Sequence, residues 1–181
     1  TDEAAVARMV DRATDAWGRI DILVNNAGIL RDKSFAKMDM ADFRLVLDVH
    51  LMGAAICTKA VWGLMREQNY GRVVMTTSSS GLYGNFGQAN YAAAKAGLNA
   101  MTEGMAHAFG PEVRVNCIMC GPFLTDISKA WDMGVFEERA KSYALRRGGE
   151  PNEVVGAALY FASGASSFCT GAVLRLDGGT P

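Results

Sequence analysis

Residues 21–28 read Asp-Ile-Leu-Val-Asn-Asn-Ala-Gly, a short apolar run that ends in a polar turn containing glycine. The length and character of this run predict a buried strand followed by a turn. Three further apolar runs, at residues 72–77, 113–118 and 172–176, predict three more strands. Because all four runs are apolar on both faces, they are typical of strands that are covered on both sides of a sheet.

Helical periodicity fills the intervals between these strands. The predicted helices cover residues 2–17, about 39–68, about 89–109, about 126–144 and 151–163. Strands that alternate with helices indicate a parallel sheet with helices on both faces. Residues 1–181 contain no repeat and no low-complexity linker. The sequence therefore predicts one doubly wound α/β domain.

The composition argues against several kinds of partner. Half of the 181 residues are hydrophobic, a fifth are charged and the formal net charge is −1. Lys and Arg are spread along the chain, so no basic stripe predicts binding to nucleic acid or to an anionic membrane. We also expect no membrane span, on the view that no apolar run reaches the ~18 residues that one needs. The cytoplasm, or the interior of an organelle, is the expected location.

Four cysteines are too few to indicate a disulfide scaffold in a chain of this length. Cys117 and Cys120 form a C-x-x-C pattern, but His50 and His107 are both far away in sequence. The pattern also lies in a predicted strand, whereas a redox C-x-x-C begins a helix. We therefore expect no metal. A redox or metal protein built on these two thiols is an alternative that would need a bound metal or a reactive thiol pair.

Tyr91 and Lys95 are the first candidates for chemistry. At a spacing of four residues they lie on one face of the predicted helix. The pKa of a free phenol is near 10, and an adjacent cation would lower it, making Tyr91 usable for proton transfer. This pattern is common by chance and by itself describes an ordinary surface helix. Ser78 changes that interpretation, because it ends a predicted strand thirteen residues before Tyr91.

Two more segments complete the pattern: Asn25-Asn26-Ala27-Gly28, and the run from Asn116 to Thr125. With them, the chain resembles the short-chain dehydrogenase/reductase family, from just after its third strand to its C-terminal Asp-Gly-Gly at 177–179. The resemblance implies a Rossmann-like fold in which residues 1–181 supply strands 4-5-6-7 of the family order 3-2-1-4-5-6-7. The first three strands are expected to be missing, and with them the glycine-rich turn that holds the cofactor diphosphate.

The resemblance implies an NAD(P)-dependent oxidoreductase that interconverts a secondary alcohol and a ketone. Ser78 would orient the substrate oxygen and Tyr91 would be the acid/base. Lys95 would lower the Tyr91 pKa and hold the nicotinamide ribose. The implied cofactor-binding positions are Asn25, Ala27, Gly28, Tyr91, Lys95, Gly121, Phe123 and Thr125. NAD and NADP are not distinguished, because the deciding residue lies in the absent second strand.

Two positions depart from the family pattern. His50 occupies the place of the fourth catalytic residue, an Asn that holds a proton-relay water. A histidine could hold a water there or simply pack within the helix, and both readings stay open. Cys120 occupies the place of a Pro before Gly121, which loosens the turn without removing a reacting group.

The substrate is indicated only in outline. Segments 68–72 and 82–91, with His50, resemble the 3-hydroxyacyl-CoA dehydrogenase units of peroxisomal multifunctional enzymes. Residues 121–181 instead resemble bacterial sugar or polyol dehydrogenases. Residues of about 123–145 fall in the variable substrate lid. The candidate substrate-contacting residues are Ser80, Tyr83, Asn85 and Gln88.

The family commonly forms homodimers and homotetramers through two long helices, here at about 39–68 and 89–109, so we expect self-association. A competing interpretation is that the chain is a folded, non-catalytic piece with a role in assembly. Cofactor binding by the purified chain would distinguish these two interpretations.

Overall fold

A computed structural model describes residues 1–181, apart from the side chain of Ala130. Its single sheet contains four strands: β1 (Ile22–Asn25), β2 (Gly71–Ser78), β3 (Val113–Cys120) and β4 (Val173–Leu176). The strands lie in the order β1-β2-β3-β4, and every neighbouring pair is parallel. This arrangement confirms the predicted parallel sheet.

Seven α-helices accompany the strands: α1 (Glu3–Trp17), α2 (Met40–Leu47), α3 (Gly53–Glu67), α4 (Ser80–Tyr83), α5 (Ala89–Phe109), α6 (Met133–Ala140) and α7 (Val155–Ala162). A π turn at Asp48–Met52 joins α2 to α3, so together they fill the predicted helix at 39–68. The predicted helix at 126–144 divides into a 3-10 turn, Asp126–Ala130, and α6. The division falls at Asp132, whose side chain accepts from Val135 N and starts α6 anew.

The core lies on both faces of the sheet. On one face, Val73 and Met75 of β2 pack with Val61 and Met65 of α3 and Leu98 of α5. On the other face, Val74 and Ile118 pack against Phe161 of α7. Because successive side chains of a strand point to opposite faces, buried neighbours such as Val73 and Val74 require both faces to be covered. The doubly wound prediction is thereby confirmed.

One segment is, by length and composition alone, long and apolar enough to span a membrane, contrary to the expectation from sequence. The continuous helical stretch Met40–Glu67 has 28 residues and contains an 18-residue window of mean hydropathy 1.4. In this fold Val61 and Met65 of that stretch are buried against the sheet. Of the apolar window, 28% is buried in this fold.

The free side of β1 is open. Ile22 and Val24 are 45% and 50% exposed, and α1 has no buried residue. Between α1, β1 and α3 lies a groove of about 400 Å³ with an apolar lining that includes Met9, Trp17, Leu23 and Val61. A strand edge of this kind presents unpaired backbone groups to which another strand can bind.

Candidate active site

The candidate residues converge at the carboxyl ends of the strands. Asn25 ends β1, Ser78 ends β2 and Cys120 ends β3, and in a parallel sheet these ends share one edge. Helix α5 starts at Ala89 and brings Tyr91 and Lys95 to the same edge. Open α/β sheets bind their ligands at this edge, so the location suits a catalytic site.

Tyr91 lies beside Ser78. Burial raises the pKa of Tyr91 to about 12, and the interaction with the Ser78 hydroxyl opposes that rise. The direction is opposite to the lowering expected from sequence. Spacing predicted the neighbouring cation but not the burial of the phenol, and burial disfavours the phenolate.

Lys95 is almost fully buried, with 4% of its surface exposed. Its Nζ donates to the carbonyl oxygen of Thr76 at 2.6 Å and lies 5.4 Å from the centroid of the Tyr91 ring. Burial lowers the pKa of Lys95 to about 8. The ammonium is therefore held by the backbone of β2 near Tyr91, and the group is charged in most molecules at neutral pH.

His50 also belongs to this cluster. It lies in the π turn, is 3% exposed, and its ring stands perpendicular to Tyr91 at a centroid distance of 5.1 Å. Its Nε2 is 2.8 Å from the carbonyl oxygen and 3.1 Å from the nitrogen of Ile29. Burial, with the nearby Lys95 charge, lowers the pKa of His50 to about 4, so the imidazole is neutral.

The other ring nitrogen of His50, Nδ1, is buried and has no hydrogen-bond partner within the described part of the chain. The ring also lies directly against Gly28, where an added Cβ would be 2.3 Å from Cε1 of His50. Gly28 is therefore required by packing. His50 thus packs closely and also has an unpaired ring nitrogen, so both roles, holding a water and packing, remain predictions.

Asn25 has a structural role. Its Nδ2 donates to Thr58 Oγ1 at 3.0 Å and contacts Met75 Sδ at 3.3 Å, which ties the end of β1 to α3 and β2. Ala27, in the loop that follows β1, is exposed.

The segment after β3 is fixed by close packing. A Cβ at Gly121 would lie 2.4 Å from Cβ of Asp177. Phe123 forms an isolated bridge with Gly149. Thr125 accepts from Ser128 Oγ at 2.7 Å through its carbonyl. These contacts hold the 121–125 segment in place, and its role toward a cofactor stays a prediction.

Three of the four candidate substrate residues form one network. Gln88 is 8% exposed, and its Oε1 accepts from Ser80 Oγ at 3.2 Å and from Asn85 Nδ2 at 3.1 Å. Tyr83 lies apart from this network, since its hydroxyl accepts from Arg175 Nη1 at 3.0 Å. Gln88 Nε2 donates to Asp32 Oδ2 at 2.7 Å. Asp32 was not among the candidates, because a single loop carboxylate carries no spacing signal.

The C-x-x-C pattern lies in β3, as predicted. Cys117 is buried and Cys120 is partly buried at the end of the strand. At a spacing of three residues in a strand, their side chains point to opposite faces of the sheet. This geometry does not suit a redox pair.

The 123–145 segment, predicted to be a substrate lid, contains the 3-10 turn and α6. Its aromatic side chains pack on one another, with ring centroids 5.2 Å apart for Trp131 and Phe136 and 6.5 Å apart for Phe136 and Tyr143. Arg139 Nη1 reaches Asn85 Oδ1 at 3.5 Å, which places α6 beside the network of Gln88, Ser80 and Asn85.

Comparison with known proteins extends this picture. A family model described as enoyl-(acyl carrier protein) reductase matches residues 1–181. The acetoacetyl-CoA reductase of Allochromatium vinosum is 40% identical over 174 residues, 96% of this chain and 71% of the relative. The 3-oxoacyl-(acyl-carrier-protein) reductase of Thermotoga maritima is 38% identical over 180 residues, covering 99% of this chain and 73% of the relative.

Two further matches are a longer peroxisomal protein and a crystal structure. The peroxisomal multifunctional enzyme type 2 of Drosophila melanogaster is 46% identical over 132 residues, 73% of this chain but 21% of that protein. The chain thus spans about a fifth of the length of this peroxisomal relative. A crystal structure of a candidate gluconate dehydrogenase from Agrobacterium tumefaciens matches with a TM-score of 0.94 and 29% identity, over 99% of this chain and 72% of that one.

Proposed function

The chain belongs to the short-chain dehydrogenase/reductase family, and on that premise we propose that it interconverts a 3-oxoacyl and a 3-hydroxyacyl thioester with NAD(P). The single observation that supports this activity is the cluster of Ser78, Tyr91 and Lys95 at the carboxyl edge of the sheet. Convergence of a hydroxyl, a phenol and an amine at that edge suits proton transfer to a substrate carbonyl.

The residues present fit the nicotinamide end of the cofactor. The buried amine of Lys95 and the phenol of Tyr91 would face the ribose hydroxyls, and the 121–125 segment would lie along the nicotinamide. When bound, the cofactor supplies or accepts the hydride.

In the direction of reduction, Tyr91 donates its proton to the substrate oxygen and Ser78 orients that oxygen. A Tyr91 pKa of about 12 keeps the phenol protonated at neutral pH, which is the form that donates. In the direction of oxidation, Tyr91 must first lose that proton. The Lys95 ammonium beside the ring would favour the phenolate in that state.

The thioester substrate is supported by the names of the two bacterial reductases and by the match to the peroxisomal enzyme. A sugar or polyol is the second candidate, which the structural likeness to the candidate gluconate dehydrogenase favours. We would assay the natural gene product with acetoacetyl-CoA and NADH or NADPH, and with gluconate and NAD or NADP. Turnover of acetoacetyl-CoA is expected, and turnover of gluconate alone would contradict the thioester proposal.

His50 provides a prediction on the same enzyme. His50→Asn is expected to stay within ~3-fold of the parent rate, because an amide can both donate to Ile29 O and accept from Ile29 N. Because the neutral ring can pair only one of these two part-buried groups through Nε2, His50→Leu removes one hydrogen bond, at a cost of ~1–3 kcal/mol, so we expect a loss of ~10-fold.

The pH–rate profiles of the two His50 variants complete this test. The His50 imidazole is neutral at any pH well above its pKa of about 4. The pH–rate profile of the parent enzyme should therefore show no inflection near the pKa of an ordinary histidine. Equal activity of the Asn and Leu variants would reduce His50 to a packing residue.

We propose a homodimer or homotetramer that forms through α2–α3 and α5. Leu45 and Met52 remain 40% and 48% exposed on the first of these helices, whereas Val61 is buried in the core. Light scattering at micromolar concentration should give a mass of at least two chains, and a monomeric mass would contradict the proposal.

The cytoplasm or an organelle interior is the proposed location, the latter in keeping with the peroxisomal relatives.

A further inference from the structure

Two segments that flank the candidate site are joined side by side. The carbonyl oxygen of Arg31 accepts from Asn90 Nδ2 at 3.1 Å, Asp32 Oδ2 accepts from Gln88 Nε2 at 2.7 Å, and Lys33 N donates to Gly87 O at 2.9 Å. We call these three contacts between residues 31–33 and 87–90 the clasp. They connect the loop after β1 to the residues that lead into Tyr91.

The clasp fixes the start of α5. Gln88, the residue before the helix, makes no side-chain cap, so the first turn is not held in the usual way. Asn90 is fully buried and accepts from Tyr91 N at 2.8 Å through its own Oδ1. The position of the Tyr91 backbone thus depends on contacts made by the clasp.

Asp32 determines which way the Gln88 amide faces. A carboxylate only accepts hydrogen bonds, so the Gln88 NH2 must face Asp32 and its oxygen must face Ser80 and Asn85. Ser80 and Asn85 then both donate to Gln88. Their remaining oxygen lone pairs are left for other donors, such as Arg139 of the lid, which reaches Asn85 Oδ1.

Several groups face Tyr91 from the elements around it. Lys95 lies on α5, His50 on the π turn, Ser78 on β2 and Cys120 on β3. Asp32 adds a negative charge from the loop after β1, which acts with burial to raise the pKa of Tyr91. Asp32 is an exposed residue, so water weakens this influence.

From this geometry we propose that Asp32 is a positioning residue of the active site, which orients Ser80 and Asn85 through Gln88 and secures the start of α5 beneath Tyr91. The inference rests on the proposed function, since it assigns Asp32 a part in the reaction that Tyr91 carries out. Asp32 acts through other residues and need not touch the substrate.

Three variants of the natural gene product test this role by the kcat for acetoacetyl-CoA reduction. Asp32→Ala removes the acceptor for Gln88, so kcat should fall on the order of 10-fold, a typical result of misplacing a reacting group, while the KM for the nicotinamide cofactor changes little. Asp32→Asn keeps an acceptor oxygen and should restore most of kcat. Lys33→Ala is the matched control, because Lys33 takes part in the clasp only through its backbone.

Rescue by Asn, with Lys33→Ala unchanged, supports the proposal. If Asp32→Ala matched the parent, or if Asp32→Asn lost as much as Asp32→Ala, the positioning role would be wrong. The pH profile separates this role from a purely structural one. Removing the negative charge favours the phenolate, so in Asp32→Asn the alkaline fall in reduction rate should move to lower pH.

If neither the parent nor any variant reduces acetoacetyl-CoA, the proposed function is wrong. The inference about Asp32 can then still be tested by a second measurement. Tyrosine labelled with 13C at Cζ reports the surroundings of each phenol, and the Tyr91 signal is identified by its loss in Tyr91→Phe. At neutral pH the Tyr91 signal should move in Asp32→Ala and return towards the parent position in Asp32→Asn, while Lys33→Ala leaves it unchanged. A Tyr91 signal that is the same in Asp32→Ala and the parent would overturn the inference.

Discussion

Replacement of Tyr91 by Phe is expected to lower the rate of carbonyl reduction by at least ~100-fold, the usual scale of general acid–base help. The change removes only the phenol hydroxyl and leaves the ring, so the perpendicular contact with His50 is retained. Loss of rate would therefore report loss of the proton donor. The measurement is kcat at saturating acetoacetyl-CoA and cofactor.

Tyr70→Phe is the matched control for this variant. Tyr70 precedes β2 at the opposite end of the sheet, where its ring lies under the Arg72 guanidinium at 4.0 Å. It also loses only a hydroxyl, and its rate should equal that of the parent. Near-normal turnover of Tyr91→Phe would rule out Tyr91 as the acid/base.

The second large effect concerns cofactor affinity. The chain of residues 1–181, produced by itself, is expected to bind NADH and NADPH with a dissociation constant no better than ~1 mM. Adenosine and diphosphate are held in Rossmann folds by a glycine-rich turn between a strand and a helix N-terminus. Gly81, Gly84 and Gly87 are the glycines nearest to that description, but they lie within α4 and in the loop that follows it.

Calorimetry or fluorescence titration of the purified 181-residue chain measures this affinity directly. Lys95→Ala is the companion variant, because Lys95 would supply a main contact at the nicotinamide end and its loss should abolish any residual binding. Micromolar binding together with carbonyl reduction would contradict the expectation. It would also remove the competing interpretation of the chain as a non-catalytic assembly piece, to which the open edge of β1 lends some support.

The elements that sequence predicted best are those whose burial follows directly from composition. Strand β3 is buried at nearly every position and β2 has the buried apolar centre Val73–Met75, while α5 occupies the predicted residues 89–109. The 126–144 segment was harder to predict, because its helical pattern does not reveal that Asp132 starts a new helix. The periodicity of apolar residues shows which face of a helix is buried, but it does not show where a helix is interrupted.

The sequence predicted which residues lie together at the candidate site, but not how their surroundings change their pKa values. Spacing brought Ser78, Tyr91 and Lys95 together, but the direction of the Tyr91 pKa depends on burial, which spacing does not contain. Asn25 proved to be bound to Thr58, a partner 33 residues away in sequence. Asp32 was missed because its partner Gln88 lies 56 residues away, and spacing along the sequence does not reveal such a contact.

The contact between Gly28 and His50 restricts the order in which these two positions can change during evolution. A Cβ at position 28 would meet the imidazole at 2.3 Å, so an alanine there is compatible only with a smaller residue at position 50. A lineage that replaces His50 first, for example by Asn, becomes free to vary position 28. A lineage that keeps the histidine retains the glycine, and the two positions should therefore be inherited as a pair.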